Sequence, residues 1–533
     1  MKINPLNKII FQLIILILFI SCGRKNNNAR DKPNIILIYA DDLGIGLLGH
    51  EGQTIISTPN IDKLAQEGLR FQNAYSCMLS APSRASLLTG LHDCHSNKFE
   101  ITSAGIYKKL SSGEYSSPVI EAMINDVLSP VPEESVFLGE VAKEAGYITG
   151  QFGKLEWGFA TSHQQMKRHG WDHYLGYLDH IRAHGFYPPF LFENGEVISY
   201  TGNTLTNCGK TGEPETEDTF NERWDMTGKE IYSQNIFMDN ILDFISINKD
   251  NPFFLYFPTQ LPHGPVSIPA VHPDFADDKR LTQIEREYAS MVKMLDDNVG
   301  QILHKLKDLN IDENTIVIFT SDNGHEIYYA QEGRIIKPYA DMKSGVLFDN
   351  LKNKYYSEAA GDIFDGNGGR AGLKRSNLQG GIRVPLIVRW PDKIKRGRTS
   401  KQLIANYDIL PTIAEIADFT GAIKTDGISF YKELLDTPEQ VEHKFIVYSS
   451  FMGPTLITRD GWKIRTYLNK EVFELYYLPD DFREENDLAE KYPEKLEELT
   501  IILLSACDGD LFNGLYTSSG KQINVEKQFF RYE

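Results

Sequence analysis

Cysteine is scarce, with five in 533 residues, too few to staple a disulfide scaffold. Basic residues are outnumbered, 55 Lys and Arg against 73 Asp and Glu. The resulting net charge of −18 opposes a broad electrostatic footprint on nucleic acid or on an anionic bilayer. No internal repeat is present, and the triplet Asn26-Asn27-Asn28 is the only low-complexity stretch. What remains is the composition of an ordinary globular protein, 41% hydrophobic and 24% charged, with 26 Tyr and 29 Phe, which excludes wholesale disorder. The chain is far longer than a typical domain of ~150 residues, so one large core with a smaller companion domain is expected.

One apolar run stands apart from the rest. Ile9 to Ile20, interrupted only by Gln12, follows Lys2 and Lys8 and is too short to span a bilayer comfortably. Residues 1–21 therefore read as a secretory signal. The ending Phe19-Ile20-Ser21-Cys22 resembles a bacterial lipobox, which implies a lipidated Cys22, a lipid anchor in the membrane and a place in the bacterial cell envelope. Plain signal-peptidase cleavage or an uncleaved anchor stays open. Residues 22–32 are polar and serve as a tether. Cys77, Cys94, Cys208 and Cys507 lack regular spacing, so no pairing follows from them.

From Pro33 onward the pattern is that of an α/β fold. Pro33 to Ala40 is a continuous apolar run, as expected of a strand buried on both faces of a parallel sheet, and Asp41-Asp42 follows directly. Thr58-Pro59 opens a helix that runs through Ile61, Leu64 and Ala65 to Gly68. Tyr288, Met291, Val292, Leu295, Val299, Ile302 and Leu306 trace one helical face, and Thr315 to Thr320 is a second buried strand that also runs into an acid, Asp322. Pro252 to Phe257 and Val384 to Arg389 supply further strands, and Asp408 to Ala417 a further helix. The expected architecture is a mostly parallel sheet flanked by helices over residues 33–435. Short strand-like pieces from about His443 mark a smaller α+β domain over 436–533.

Ligands of such folds collect at the carboxyl ends of the strands, where Asp41, Asp42, Asp322 and Asn323 fall. Adjacent buried carboxylates repel and are costly to desolvate, so they ask for a cation, and a hard divalent ion with oxygen ligands fits. Residues 80–90 read Ser-Ala-Pro-Ser-Arg-Ala-Ser-Leu-Leu-Thr-Gly. Pro82 suits the first turn of a helix, which puts Ser80 at an N-terminus that favours negative charge, with Arg84 one turn in. On these residues alone, a capped helix with an arginine is the preferred reading.

Ser80-x-Pro82-Ser83-Arg84 through Leu88-Thr89-Gly90 resembles the signature of the type I sulfatases, whose first position, Cys or Ser, is oxidised to formylglycine. The resemblance continues through Asp41-Asp42, Gly153-Lys154, Pro262-His263, Asp322-Asn323-Gly324, Gly372-x-Lys374 and Gly380-Gly381-Ile382-Arg383-Val384-Pro385. It ends in Phe473 to Tyr476 and Asn486 to Ala489. It implies an alkaline-phosphatase-like fold and a sulfatase that acts on carbohydrate sulfate esters. It also implies Ca²⁺ held by Asp41, Asp42, Asp322, Asn323 and the residue derived from Ser80. The hydrated aldehyde would attack sulfur, Arg84 would stabilise it, and Lys154, His263 and Lys374 would hold the sulfate. A Ser-type member implies a radical-type formylglycine maturase acting on Ser80, with Cys77 outside the motif frame. Family members commonly carry Gly-Lys-x-His where this chain has Gly153-Lys154-Leu155-Glu156, so Glu156 is expected to act as a base in place of the histidine, or His325 to take over.

The segment Gly176 to Pro188 is similar to an insertion of bacterial glycan sulfatases. Its His180, Arg182 and His184, with His325, are expected to bind a sulfated galactose or N-acetylgalactosamine unit. Two other readings remain: a phosphatase or phosphonate monoester hydrolase of the same superfamily, and a non-catalytic glycan-binding lipoprotein.

Overall fold

The computed structural model describes residues 32–96, 106–127, 135–157, 160–438 and 441–516. The signal, Cys22, nearly all of the tether and residues 517–533 of the expected C-terminal domain lie outside the described residues. Among the described residues, no helix is long and apolar enough to cross a membrane.

Ten strands form the main sheet: β1 (Asn34–Ala40), β2 (Leu69–Tyr75), β3 (Ile148–Lys154), β4 (His173–Tyr177), β5 (Phe190–Glu193), β6 (Glu196–Ser199), β7 (Phe253–Pro258), β8 (Thr315–Ser321), β9 (Leu386–Arg389) and β10 (Arg398–Ala405). Their spatial order is β10-β2-β9-β8-β1-β7-β3-β4-β5-β6. The central run β8-β1-β7-β3-β4 is wholly parallel, whereas β9, β5 and β6 pair antiparallel with their neighbours.

The alternation along β1 explains its unbroken hydrophobicity. Ile36, Ile38 and Ala40 enter one core with the helices Pro59–Glu67, Ser233–Asn248 and Gln283–Asp308, while Ile35, Leu37 and Tyr39 enter the opposite core with Leu138–Glu144 and Ile409–Ile416. Both faces are covered, so no polar face is needed. Because β1 and β8 are parallel and in register from Asn34↔Thr315 to Ala40↔Ser321, Asp41 and Asp322 leave the sheet side by side. The two acids, far apart in sequence, meet for that reason.

A separate antiparallel sheet, β11 (Phe445–Tyr448), β12 (Thr455–Thr458), β13 (Trp462–Tyr467) and β14 (Val472–Tyr477), carries the helix Pro493–Ala506 on one face through Leu499 and Leu503. Past that helix, Asp508 reaches back to the residues that follow Gly90. His95 lies between two carboxylates, its Nε2 2.9 Å from Asp426 Oδ2 and its Nδ1 3.1 Å from Asp508 Oδ1. The hydrogen bond to Asp426 outweighs partial burial and pushes His95 up to about 9, with Asp508 adding to the rise. The folded state therefore holds this proton more tightly than the unfolded chain. The stabilisation is complete below about pH 6.5 and is lost as the pH climbs through about 9. In chelator-containing buffer, His95→Gln should cost about 1 kcal/mol at pH 6, allowing for solvent screening, and nothing measurable at pH 10. An equal cost at both pH values by chemical denaturation would show that the charge is irrelevant.

Candidate active site

The helix Ser80–Thr89 is buried along its whole length and places Ser80 at its first position. Arg84, one turn later, donates from Nε to Ser80 Oγ at 2.9 Å and from Nη2 to Asp322 Oδ2 at 3.0 Å. Lys154, the last residue of β3, reaches the same hydroxyl at 3.4 Å and Asp41 Oδ2 at 2.7 Å. Gly153, at φ +129°, lies against the Pro258 carbonyl where a Cβ has no room, so a glycine must precede this lysine. On the far side, Lys374 Nζ donates to Asp42 Oδ2 at 2.7 Å and stands 3.3 Å from His263 Nε2. His263 Nδ1 lies 2.5 Å from the carbonyl of Gly264 and donates to it, which leaves Nε2 with its lone pair facing the lysine.

Asp42 takes a left-handed backbone, φ +62°, held by its N–H on Asp322 Oδ1 at 3.0 Å. Asn323 Nδ2 donates to Asp42 Oδ1 at 2.7 Å. Gly324 lets this loop touch the Gly380-Gly381 turn: a Cβ there would overlap the Gly380 carbonyl, and Gly324 N–H donates to Gly381 O at 2.9 Å. Two separate sequence motifs thus form one tight contact that aims Asp322, Asn323 and Lys374 inward.

Three carboxylates and three basic side chains, Arg84, Lys154 and Lys374, converge here, all nine-tenths buried or more. Burial would raise Asp41, but Lys154 and Arg84 outweigh it and hold the carboxyl below its ordinary range. Burial and then the charge of Asp41 push Asp322 up to about 7. Burial followed by Lys374 keeps His263 well below the usual histidine value, so its ring is neutral. Asp41 Oδ1 and Asn323 Oδ1 are buried with no hydrogen-bond partner among the described residues, a cost that an oxygen-seeking cation removes. The donor set of Asp41, Asp42, Asp322 and Asn323 fits a metal ion, and Asp41, Asp42 and His263 bring ligand atoms within 4.8 Å of one another.

Other expected residues lie elsewhere. Glu156, at φ +58°, is turned away from Ser80. One carboxylate oxygen lies 2.5 Å from His169 Nδ1 and the other 2.5 Å from Trp171 Nε1, so neither is left to act as a base. Its place is structural, and Glu156→Gln should lower folding stability by about 1–3 kcal/mol without moving the pH–rate profile. A hundredfold fall in turnover at unchanged stability would restore it to the chemistry.

His325 is fully buried behind the acid cluster. Its Nε2 is 2.8 Å from Tyr329 Oη, its ring is walled by Gly44 and Gly366, and its carbonyl accepts the Lys374 N–H at 2.8 Å. A sugar has no access to it, and it supports Lys374. Arg182 is likewise turned inward, its guanidinium 3.8 Å from the Phe190 ring centroid and donating to Phe190 O at 3.0 Å. His180 is buried, Nε2 2.8 Å from Leu155 O, and burial with the nearby charges of Lys154 and Arg84 keeps it neutral. Of the three residues of this segment expected to bind sugar, His184 alone is part-exposed, stacked on His263 at 4.3 Å between centroids. The sequence carries no signal for Tyr328, whose hydroxyl donates to Asp42 and whose ring packs 5.1 Å from His263, or for Gln260, whose Nε2 holds Ala183 O at 2.5 Å and Gly185 O at 3.0 Å.

A parallel sheet with clustered acids at its strand ends, and with cations gathered round one buried hydroxyl, defines a metal-assisted hydrolase of anionic esters. The chain belongs to the sulfatase family and is a sulfuric ester hydrolase: the Sulfatase family model matches residues 33–419, and that of the N-sulphoglucosamine sulphohydrolase C-terminal region matches 373–503. It is 28% identical over 553 aligned positions to an N-acetylgalactosamine-6-O-sulfatase of Bacteroides thetaiotaomicron, covering 92% of this chain and 96% of that one. It is 29% identical over 421 positions to human N-acetylgalactosamine-6-sulfatase, covering 78% and 68%. A solved Bacteroides thetaiotaomicron structure, described under metabolism of multiple glycosaminoglycans, superposes with a TM-score of 0.65 at 25% identity, covering 90% of this chain and 99% of that one.

Proposed function

We propose that the protein removes sulfate from a sulfated N-acetylgalactosamine or galactose unit of a glycan. The reaction uses formylglycine made from Ser80 by a radical-type maturase. Support for the substrate class comes from the names of the relatives above; the observation that carries the site assignment is Ser80 Oγ held between Arg84 Nε and Lys154 Nζ beside the acid cluster. Hydrated formylglycine would supply the nucleophilic oxygen, and a metal held by Asp41, Asp42, Asp322 and Asn323, Ca²⁺ by the hardness of these four oxygen donors, would neutralise charge on the sulfate.

The protein's own groups divide the remaining work. Arg84 and Lys154 fix the nucleophile's side and oppose the sulfate charge, and both are buried, where such contacts count most. Lys374 Nζ, beside His263 Nε2, is placed to give its proton to the departing sugar oxygen, with the neutral His263 ring ready to share it. His184, stacked on His263 at the mouth, meets the sugar ring, and His180 braces the segment from behind. Cys22 carries the lipid that keeps the enzyme in the cell envelope, where polysaccharides arrive.

The experiment is sulfate release from a panel of defined sulfated sugars, run beside a small aryl sulfate. The core site reads only sulfate, so discrimination among sugars must come from groups that reach the ring hydroxyls. His184→Ala is expected to lower kcat/KM for the preferred sugar by roughly tenfold to a hundredfold and to leave the aryl ester nearly unchanged. A parallel fall in both would assign His184 to support of His263 instead.

A further inference from the structure

A second cluster of ligand-type side chains lies at the opposite end of the helix that carries Ser80. That helix stops at Gly90, whose carbonyl accepts Asp426 N–H at 2.9 Å and Thr425 Oγ1 at 2.6 Å. The chain then turns through His92 and His95. The His92 N–H donates to Asp426 Oδ2 at 2.9 Å, and the two imidazoles stack with centroids 3.9 Å apart and planes 12° from parallel. His95 Nε2 lies 2.9 Å and His92 Nε2 3.8 Å from the same Asp426 oxygen. One ligand atom from each of the three residues falls within 4.8 Å of the others.

We propose that His92 Nε2, His95 Nε2 and Asp426 Oδ2 bind a divalent transition-metal ion of the zinc class, with water completing the coordination. Two imidazoles and a carboxylate are the donors such ions take, whereas the all-oxygen set around Asp41 and Asp322 suits a hard ion. The outer contacts are already in place. Asp508 Oδ1 lies 3.1 Å from His95 Nδ1 and so directs the opposite ring nitrogen at the ion. Asp508 is itself held by Ser96 through its N–H at 2.8 Å and Oγ at 2.9 Å. The side chains of His92, His95 and Asp426 are 9%, 30% and 27% exposed, so an ion has a way in.

Without a metal, a doubly protonated His95 ring donates one N–H to each carboxylate, Nε2 to Asp426 and Nδ1 to Asp508. A metal ion takes the place of the Nε2 proton and adds a further positive charge between Asp426 and Asp508. His92 must move its own proton from Nε2 to Nδ1 and give up the long 3.3 Å contact from Cys94 N–H. Binding therefore releases protons and strengthens as pH rises. The ion would tie the end of the Ser80 helix to the loop that carries Asp426 and, through the His95 contact with Asp508, to the segment that follows the C-terminal helix.

The test uses full-length mature protein, stripped with chelator, returned to excess Ca²⁺ and titrated with Zn²⁺ at pH 8.5 by equilibrium dialysis and elemental analysis. Wild type is expected to take up one zinc per chain with nitrogen-rich coordination in X-ray absorption, and to melt at a higher temperature when loaded. His92→Asn and His95→Gln should each weaken that uptake at least tenfold. Of the two, His92→Asn leaves the close contacts of His95 with Asp426 and Asp508 in place and removes the ring stack, the 3.3 Å contact from Cys94 N–H and the 3.8 Å contact to Asp426, so it reports on binding even where His95→Gln is unstable. Absence of zinc uptake by wild type in excess calcium, or uptake undiminished in folded His92→Asn, would overturn the proposal.

Discussion

Replacement of Ser80 by alanine should abolish sulfate ester hydrolysis, lowering kcat/KM by about four orders of magnitude, or roughly 5 kcal/mol of barrier. The hydroxyl is the point on which Arg84 Nε at 2.9 Å and Lys154 Nζ at 3.4 Å converge, and alanine leaves nothing there to modify or to attack. The fold should survive, because Arg84 keeps Asp322 at 3.0 Å and Asp41 at 3.4 Å. Cys77, three positions upstream, is fully buried with its thiol 3.5 Å from Ser86 Oγ, and Cys77→Ala should change turnover little. Sulfate release by ion chromatography from the two variants side by side is the check. Equal loss in both would mean that the nucleophile is misplaced.

The second large effect concerns the metal. Asp322 lies at the end of β8, accepts Asp42 N–H at 3.0 Å and receives Arg84 Nη2 at 3.0 Å, so its two oxygens bind the acid loop to the nucleophile helix. Asp322→Ala removes one of the four proposed ligands and breaks that link. Calcium measured by elemental analysis should fall from one per chain to near zero, and kcat/KM should drop about a thousandfold. The cores on the two faces of the main sheet do not include Asp322 and should remain intact by circular dichroism. Full calcium content in the variant would sink the assignment. Chelation of wild type should mimic the loss of activity, and added calcium should restore it.

The parts of this site that were legible in the sequence share a physical cause. A strand buried on both faces must be apolar throughout, so Ile35 to Ala40 and Thr315 to Thr320 stand out, and the acids that terminate them are conspicuous by contrast. Parallel pairing then brings Asp41 and Asp322 together, as the α/β pattern implies. Gly153 and Gly324 stand in the sequence only as members of the resembling motifs, and the fold supplies the reason for them, since both occupy points where backbones touch.

The direction of a side chain on an irregular loop was not legible. Glu156 follows Lys154 by two positions, yet its left-handed backbone swings the carboxylate to His169 and Trp171. His325 adjoins Asn323 and Gly324 but packs away from solvent against Tyr329. Arg182 sits between two histidines and turns inward onto Phe190. In each case a buried partner between four and fifteen residues further on decides the orientation through the path of the loop, and spacing carries no record of it. Tyr328 was missed for the same reason, since only the folded loop brings its hydroxyl to Asp42.

The central claim, that chemistry at position 80 depends on a modified serine, is tested most directly by the mass of the proteolytic peptide containing Ser80 from active protein made in its native cells. The account predicts a peptide lighter by two hydrogens than the encoded sequence, reactive toward a hydrazine and diminished in protein made without the maturase, in step with activity. Fully active protein whose peptide carries an unaltered serine would contradict it.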